Sequence, residues 1–275
     1  MLPDPPRASM RLGVRRALRG ASRGFLAAGV LSLAACGGPA DGGSVDGGSV
    51  DGTTLTVFAA ASLKRPLDAI AAGFEQQHDG VDVVLSYAGS SDLVAQLREG
   101  AEADVLLTAD EATMERAVSA GLVEGEPTAF ATNTMTIIVP TGNPGAVTTL
   151  TDLIGDGLDV VVCAPQVPCG AATSRILGST GLHLRPASEE SKVTDVLGKV
   201  ASGEADAGIV YVTDAAGSDD VEAVAIPAED NTATSYLVAV LADSSVPVQA
   251  RRYVDAVVTD AATDGHLREA GFGAP

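Results

Sequence analysis

From residue 53 onward, short apolar runs alternate with stretches in which apolar residues recur every three or four positions. Residues 55–59, 81–87 and 104–108 read as strands, and the first and last are almost continuously apolar, as strands buried on both faces are. Leu63, Leu67, Ile70, Ala71 and Phe74 trace one helical stripe, with Pro66 tolerable because it falls in the first turn. Further helices are predicted over 92–99 and 111–120. Strand and helix in alternation predict a parallel sheet covered by helices on both faces. Ligands of such sheets lie beyond the carboxyl ends of the strands. Here those ends read Ala61-Ser62, Gly89-Ser90-Ser91 and Thr108-Ala109-Asp110, small or hydroxylated and never cationic.

A second series starts near Thr134, with strands over 135–139, 159–163 and 207–211 and helices over 150–154, 171–177 and 192–201. It ends in the acidic turn Thr213-Asp214-Ala215. A strand over 236–241 then carries the chain back to the first series, which helices over 248–261 and 266–270 complete. Two crossings predict two lobes, 53–133 with 237–275 and 134–236, joined by a hinge around a cleft. The fold class read from this pattern is α/β, two-lobed, with mixed, mostly parallel sheets.

Upstream the pattern breaks. Residues 1–35 hold six arginines and one acid, Asp4, and end in an apolar run over 25–35 that is too short to span a bilayer. This is the layout of an export signal. Leu33-Ala34-Ala35-Cys36-Gly37 resembles a bacterial lipobox, which implies lipidation of Cys36 and loss of residues 1–35. Residues 36–52 repeat Asp-Gly-Gly-Ser-Val and predict a flexible tether. The expected location is the outer face of the cell membrane, or the periplasm where a second membrane exists, with the lipid as the sole membrane attachment.

The whole chain has 17 basic and 36 acidic residues, a net charge of −19. Removing residues 1–35 takes six of the basic and one of the acidic residues, leaving eleven against 35 and a net charge of −24. Such a field excludes general binding to nucleic acid and to anionic bilayers. It also opposes long-range attraction of an anion, so any anion must be held by local dipoles.

Ser62 follows a narrow Ala59-Ala60-Ala61 turn at a helix start, where a hydroxyl and free N–H groups make an anion-site geometry. Its ordinary role there is a helix cap. Ser90 and Ser91 fit an ordinary helix start, Tyr211 fits a half-buried core position, and Asp110 and Asp214 fit turns or caps. His78, His183 and His266 lack metal-ligand spacing and read as surface residues. Cys163 and Cys169, in an exported chain, are candidates for a disulfide, with a buried thiol and a redox pair as competing readings. An exported hydrolase using Ser62 or Ser90 lacks both a Gly-x-Ser-x-Gly elbow and a histidine near any candidate strand end. A ferric-ion binder would need clustered tyrosines, and the four here are scattered in sequence.

Five segments in order carry a resemblance: Phe58-Ala-Ala-Ala-Ser62-Leu63, Tyr87-Ala-Gly-Ser90-Ser91, Ala103-Asp-Val-Leu-Leu-Thr-Ala109-Asp110, Val167-Pro-Cys-Gly170 and Gly208-Ile-Val-Tyr211-Val-Thr-Asp214-Ala215. Over essentially all of 53–275 the chain resembles the molybdate-binding proteins of ABC importers, of the type II periplasmic-binding-protein fold. The resemblance implies a non-enzymatic, monomeric receptor without a cofactor, which delivers molybdate or tungstate to a membrane permease. It puts the family's serines on Ser62 and Ser90, its main-chain donors on Cys169 and Val193, and its tyrosine hydroxyl on Tyr211. Ser91 and Ala109 are possible further N–H donors. Molybdenum would be bound only as its oxyanion, through these residues. Cys169 departs from the small residue expected there, but a main-chain role survives that change. Another tetrahedral oxyanion such as sulfate is the alternative ligand, because the same donor-only chemistry serves it.

Overall fold

The computed structural model describes residues 52–275, so the export signal, Cys36 and nearly all of the tether lie outside the described residues. Among the described residues there are nine strands: β1 (Thr53–Ala60), β2 (Val81–Ala88), β3 (Val105–Thr108), β4 (Val123–Pro140), β5 (Val160–Cys163), β6 (Ser188–Glu190), β7 (Ala207–Tyr211), β8 (Val221–Ala225) and β9 (Ala233–Leu241). Eight α-helices accompany them: α1 (Lys64–Gln77), α2 (Ser90–Arg98), α3 (Glu111–Ser119), α4 (Pro168–Thr180), α5 (Val193–Ala201), α6 (Val212–Ala216), α7 (Pro247–Ala262) and α8 (His266–Glu269). Among the described residues no helix is long and apolar enough to cross a membrane.

The strands form two mixed sheets that share β4. In the first, the parallel trio β2-β1-β3 is extended by antiparallel β9, which pairs in turn with β4 over Val123 to Thr134. In the second, the parallel trio β6-β5-β7 is extended by β4 over Met135 to Pro140, with β8 on its outer edge. Parallel pairings thus make half of the eight rather than most. Where β4 passes from one sheet to the other, Asn231 grips it: its Oδ1 accepts from Met135 N–H at 3.1 Å and its Nδ2 donates to Met135 C=O at 2.7 Å.

Burial explains why the elements hold. All four residues of β3 are buried, and Leu55, Val57, Leu63 and Leu67 are fully enclosed between the first sheet and α1. Each such side chain contributes roughly 1.5–3 kcal/mol on transfer from water. The stripe Ala250, Tyr253 and Val257 of α7 is buried, with Tyr253 edge-on to Phe74 of α1 at 5.2 Å. His78 is half-buried rather than a free surface residue, stacked on Phe74 with centroids 4.0 Å apart.

Several expected boundaries move. Strand β4 begins at Val123, twelve residues before the predicted start, because β9 supplies a partner for a segment too polar to read as a strand. Strand β9 begins at Ala233 rather than 236, which brings the return crossing forward to the position of Asn231. The edge strands β6 and β8 were not expected, and the acidic turn at Thr213 is the short helix α6.

Candidate functional site

The carboxyl ends of the two parallel trios face each other across a small cavity. Each of the six strands contributes to its wall. Ala60 ends β1 with Ala61 and Ser62 after it, Ala88 ends β2 with Gly89 and Ser90 after it, and Ala109 follows β3. Val167 to Cys169 follow β5, Ser191 to Val193 follow β6, and Tyr211 ends β7. The volume open to the centre of a water-sized sphere is about 20 Å³, room for about one water-sized group and not for a metabolite. A larger cleft of about 440 Å³ lies elsewhere, but Glu102, Asp104 and Asp243 line it, and carboxylates suit no anion.

All five residues expected to bind ligand meet at this cavity. Ser62 stands in a short 3-10 turn, Ala61–Leu63, and makes no cap bond, so its expected capping role is not the one it takes. Its Oγ lies instead 2.9 Å from the hydroxyl of Tyr236. Ser90 opens α2, and its Oγ accepts from the Ala109 N–H at 3.1 Å. A main-chain N–H can only donate, so the Ser90 hydroxyl proton is free to point elsewhere. Cys169 and Val193 occupy the first turns of α4 and α5, where N–H groups have no partner within the helix.

Tyr211 is an uncompensated group at this cavity. Its hydroxyl is buried and has no hydrogen-bond partner, although most buried polar groups have one. Burial first, then the proximity of Tyr236, Asp110 and Asp214, hold its acidity far below that of an ordinary phenol. It therefore remains a donor at any physiological pH.

The Ser91 hydroxyl and the Ala109 N–H both have partners within the protein. The Ser91 hydroxyl donates to Gln166 C=O at 2.7 Å and accepts from Arg116 Nη2 at 2.9 Å, joining α2 and α3 to the loop after β5. Ala109 lines the cavity, but its N–H is already given to Ser90.

Cys163 and Cys169 are bridged, with their Cα atoms 5.7 Å apart. The bridge ties the end of β5 to the second residue of α4. A Cβ at Gly170 would overlap Ala164 C=O, so only glycine lets the helix start pack onto this loop.

The electrostatics are those of dispersed donors. Lys192 reaches the cavity rim, but its ammonium lies 3.5 Å from Asp195. Asp110 caps α3 as expected, accepting from Thr113 N–H at 3.0 Å. Asp214 lies in the first turn of α6 with its Oδ2 buried without a partner, and that burial pushes the carboxyl up to about 7. Tyr236 and Asn133 were missed in the sequence, since Tyr236 is 174 positions from Ser62 and no local pattern links them. Among the described residues no cluster of His, Cys, Asp or Glu could hold a metal ion.

Residues 55–273 match a family described as bacterial extracellular solute-binding protein. The molybdate-binding protein ModA of Mycobacterium tuberculosis is 45% identical over 258 residues, covering 93% of this chain and 98% of its own. The solved periplasmic molybdate-binding protein of Azotobacter vinelandii superposes with a TM-score of 0.70 at 22% identity, over 80% of this chain and 99% of its own. The sulfate-binding protein SubI of Mycobacterium tuberculosis also reaches 0.70, at 21% identity, over 80% of this chain and 86% of its own. The backbone alone therefore does not separate these two anions, and the sequence relationship carries the assignment. Members bind solutes and are not enzymes, which sets the hydrolase aside. By sequence and by fold, the chain belongs to the family of bacterial extracellular solute-binding proteins that includes the molybdate-binding proteins.

Proposed function

We propose that the protein captures molybdate, and tungstate with it, between two lobes and passes it to the permease of an ABC importer. Ser62 and Ser90 would hold the ion from one side, and the Cys169 N–H, the Val193 N–H and the Tyr211 hydroxyl from the other. The observation that carries this reading is the buried, unpartnered Tyr211 hydroxyl in a cavity ringed by donors. A buried donor without an acceptor costs on the order of 1–3 kcal/mol, and an oxyanion removes that cost on binding.

The chemistry fits an acceptor-only ligand. Hydrogen bonds to a charged acceptor contribute roughly 1.5–3 kcal/mol each, so five together offset much of the ion's desolvation. Helix-start N–H groups add partial positive charge without a full cation. Release also follows, because separating the lobes withdraws the donors of one side together. The lobes would divide where β4 and the segment before β9 cross, with Asn231 at the pivot. Lipidation at Cys36 would keep the receptor at the outer face of the cell membrane.

Sulfate is the second reading, favoured by the equal superposition of the sulfate-binding structure. Isothermal titration of the protein with molybdate, tungstate, sulfate and phosphate decides between them. Tight one-to-one binding of molybdate and tungstate with weak sulfate binding is the expected result. Tight sulfate binding would overturn the molybdate assignment, and silence with all four would overturn the oxyanion reading. Ser62→Ala and Tyr211→Phe should each weaken molybdate binding by about one charged hydrogen bond, roughly 1.5–3 kcal/mol.

A further inference from the structure

We infer that Tyr236 is a positioning residue that turns the Ser62 proton into the cavity, in a direction set by the amide of Asn133. The inference rests on the oxyanion reading above and adds to it the origin of the site's donor-only character.

The polarity can be followed bond by bond. The main-chain N–H of Thr134 donates to Asn133 Oδ1 at 2.9 Å, and this fixes which end of the amide is oxygen. Asn133 Nδ2 is then the donor end, and it reaches Thr213 Oγ1 at 2.8 Å and the Tyr236 hydroxyl at 3.5 Å. A hydroxyl that accepts from an amide is left with its own proton to give. The nearest acceptor for that proton is Ser62 Oγ at 2.9 Å. Ser62, having accepted from Tyr236, has its own proton left for the cavity. Had Asn133 presented oxygen to Tyr236, every step would reverse and Ser62 would offer a lone pair to the ligand.

The second serine is set by the same logic with fewer steps. Ser90 Oγ accepts directly from the Ala109 main-chain N–H. Both ligand-facing serines thus have an acceptor position filled by a protein donor whose own direction is fixed by the backbone. Tyr236 is fully buried, and its rings of contact, Phe130, Tyr211 and Phe272, leave it one orientation. Burial, followed by the nearby Asp214, keeps its hydroxyl protonated, as a donor must be. Because each serine has one acceptor position already filled and its proton turned to the ligand, the cavity favours fully deprotonated oxyanions over those that carry a proton at neutral pH, such as hydrogen phosphate.

The test is a double-mutant cycle with Ser62→Ala, Tyr236→Phe and the double variant, titrated with molybdate and with hydrogen phosphate. Tyr236→Phe keeps the ring packing, and an unchanged melting temperature confirms that. It should weaken molybdate binding about five- to tenfold in the parent, the size of one hydrogen bond, and less than about twofold when Ser62 is already alanine. The molybdate-to-phosphate affinity ratio should fall in Tyr236→Phe, because the freed Ser62 can now accept. Additive losses, or an unchanged ratio, in a protein that binds molybdate would overturn the relay alone. A parent protein that ignores molybdate would overturn the reading beneath it.

Discussion

Gly89→Ala is the substitution that most directly tests whether the cavity depends on two surfaces meeting. Gly89 has φ −61° and ψ 135°, which alanine adopts without strain. Its Cα, however, lies against the carbonyl oxygen of Ser191 from the opposite sheet, and a Cβ there would overlap that oxygen. Restoring ordinary contact requires the two surfaces to part by about 1 Å. A hydrogen bond near 2.9 Å stretched by that amount no longer counts as one. Of the donors on the far side, the Cys169 N–H, the Val193 N–H and the Tyr211 hydroxyl, loss of two at roughly 1.5–3 kcal/mol each removes about 3–6 kcal/mol. That is a weakening of about 10²- to 10⁴-fold in molybdate affinity. Stability should fall modestly as well, since parting the two surfaces gives up packing there that the loss of unfolded-chain entropy at a glycine, about 0.4–1 kcal/mol, only partly offsets. Calorimetric titration gives the affinity, thermal melting gives the stability, and small-angle scattering with and without molybdate reports closure. Parent affinity together with an unchanged ligand-induced compaction would refute the reasoning, because all five ligand donors remain in the variant.

Three other outcomes follow from particular groups. The folded protein keeps a proton on Asp214 up to about pH 7, whereas the unfolded chain loses it near the ordinary 3.8. Stability should therefore fall as pH rises through that window, by on the order of 4 kcal/mol at most, and Asp214→Asn should flatten the melting profile over the same range. An identical slope in both proteins would assign the pH dependence to other groups. Replacing Cys163 and Cys169 together with serine should cost about 2 kcal/mol in chemical denaturation and also weaken molybdate binding, since the Cys169 N–H loses its tether. A stability loss with intact affinity would limit the bridge to the fold. Ser91→Ala removes the link from Arg116 to Gln166 and should speed molybdate release in stopped flow about fivefold, leaving capture nearly unchanged.

The local elements were legible wherever a segment's own residues decided its state. Leu67, Ile70 and Phe74 mark α1, and the apolar β3 and β7 were read within a residue of their ends. The convergence of Ser62, Ser90, Cys169, Val193 and Tyr211 came from the family resemblance instead, since the strand β6 that delivers Val193 left no readable local pattern. What escaped depends on distant partners. The first half of β4 holds Gly125 and Pro127 and becomes a strand only because β9 lies alongside. Ser62 resembles a cap in sequence, yet the 3-10 turn rotates its hydroxyl toward Tyr236. Asp214 reads as a turn residue because nothing local announces that its carboxyl is buried.

The position of β9 also governs the order in which the molecule can be made. It lies in the sheet between β3 and β4, yet it is the last strand to be synthesised. Until residues 233–241 exist, β3 keeps one edge unpaired and β4 lacks its neighbour over its first half. A growing chain therefore cannot finish the earlier sheet and then add the later one, as proteins of consecutive domains do. The long-range pairing makes folding slow by topology, which gives a nascent polypeptide time to stay threadable. A chain stopped before Ala233 should accordingly leave the first sheet open to protease, whereas the second sheet, whose strands all precede Ala233, can still give a resistant fragment.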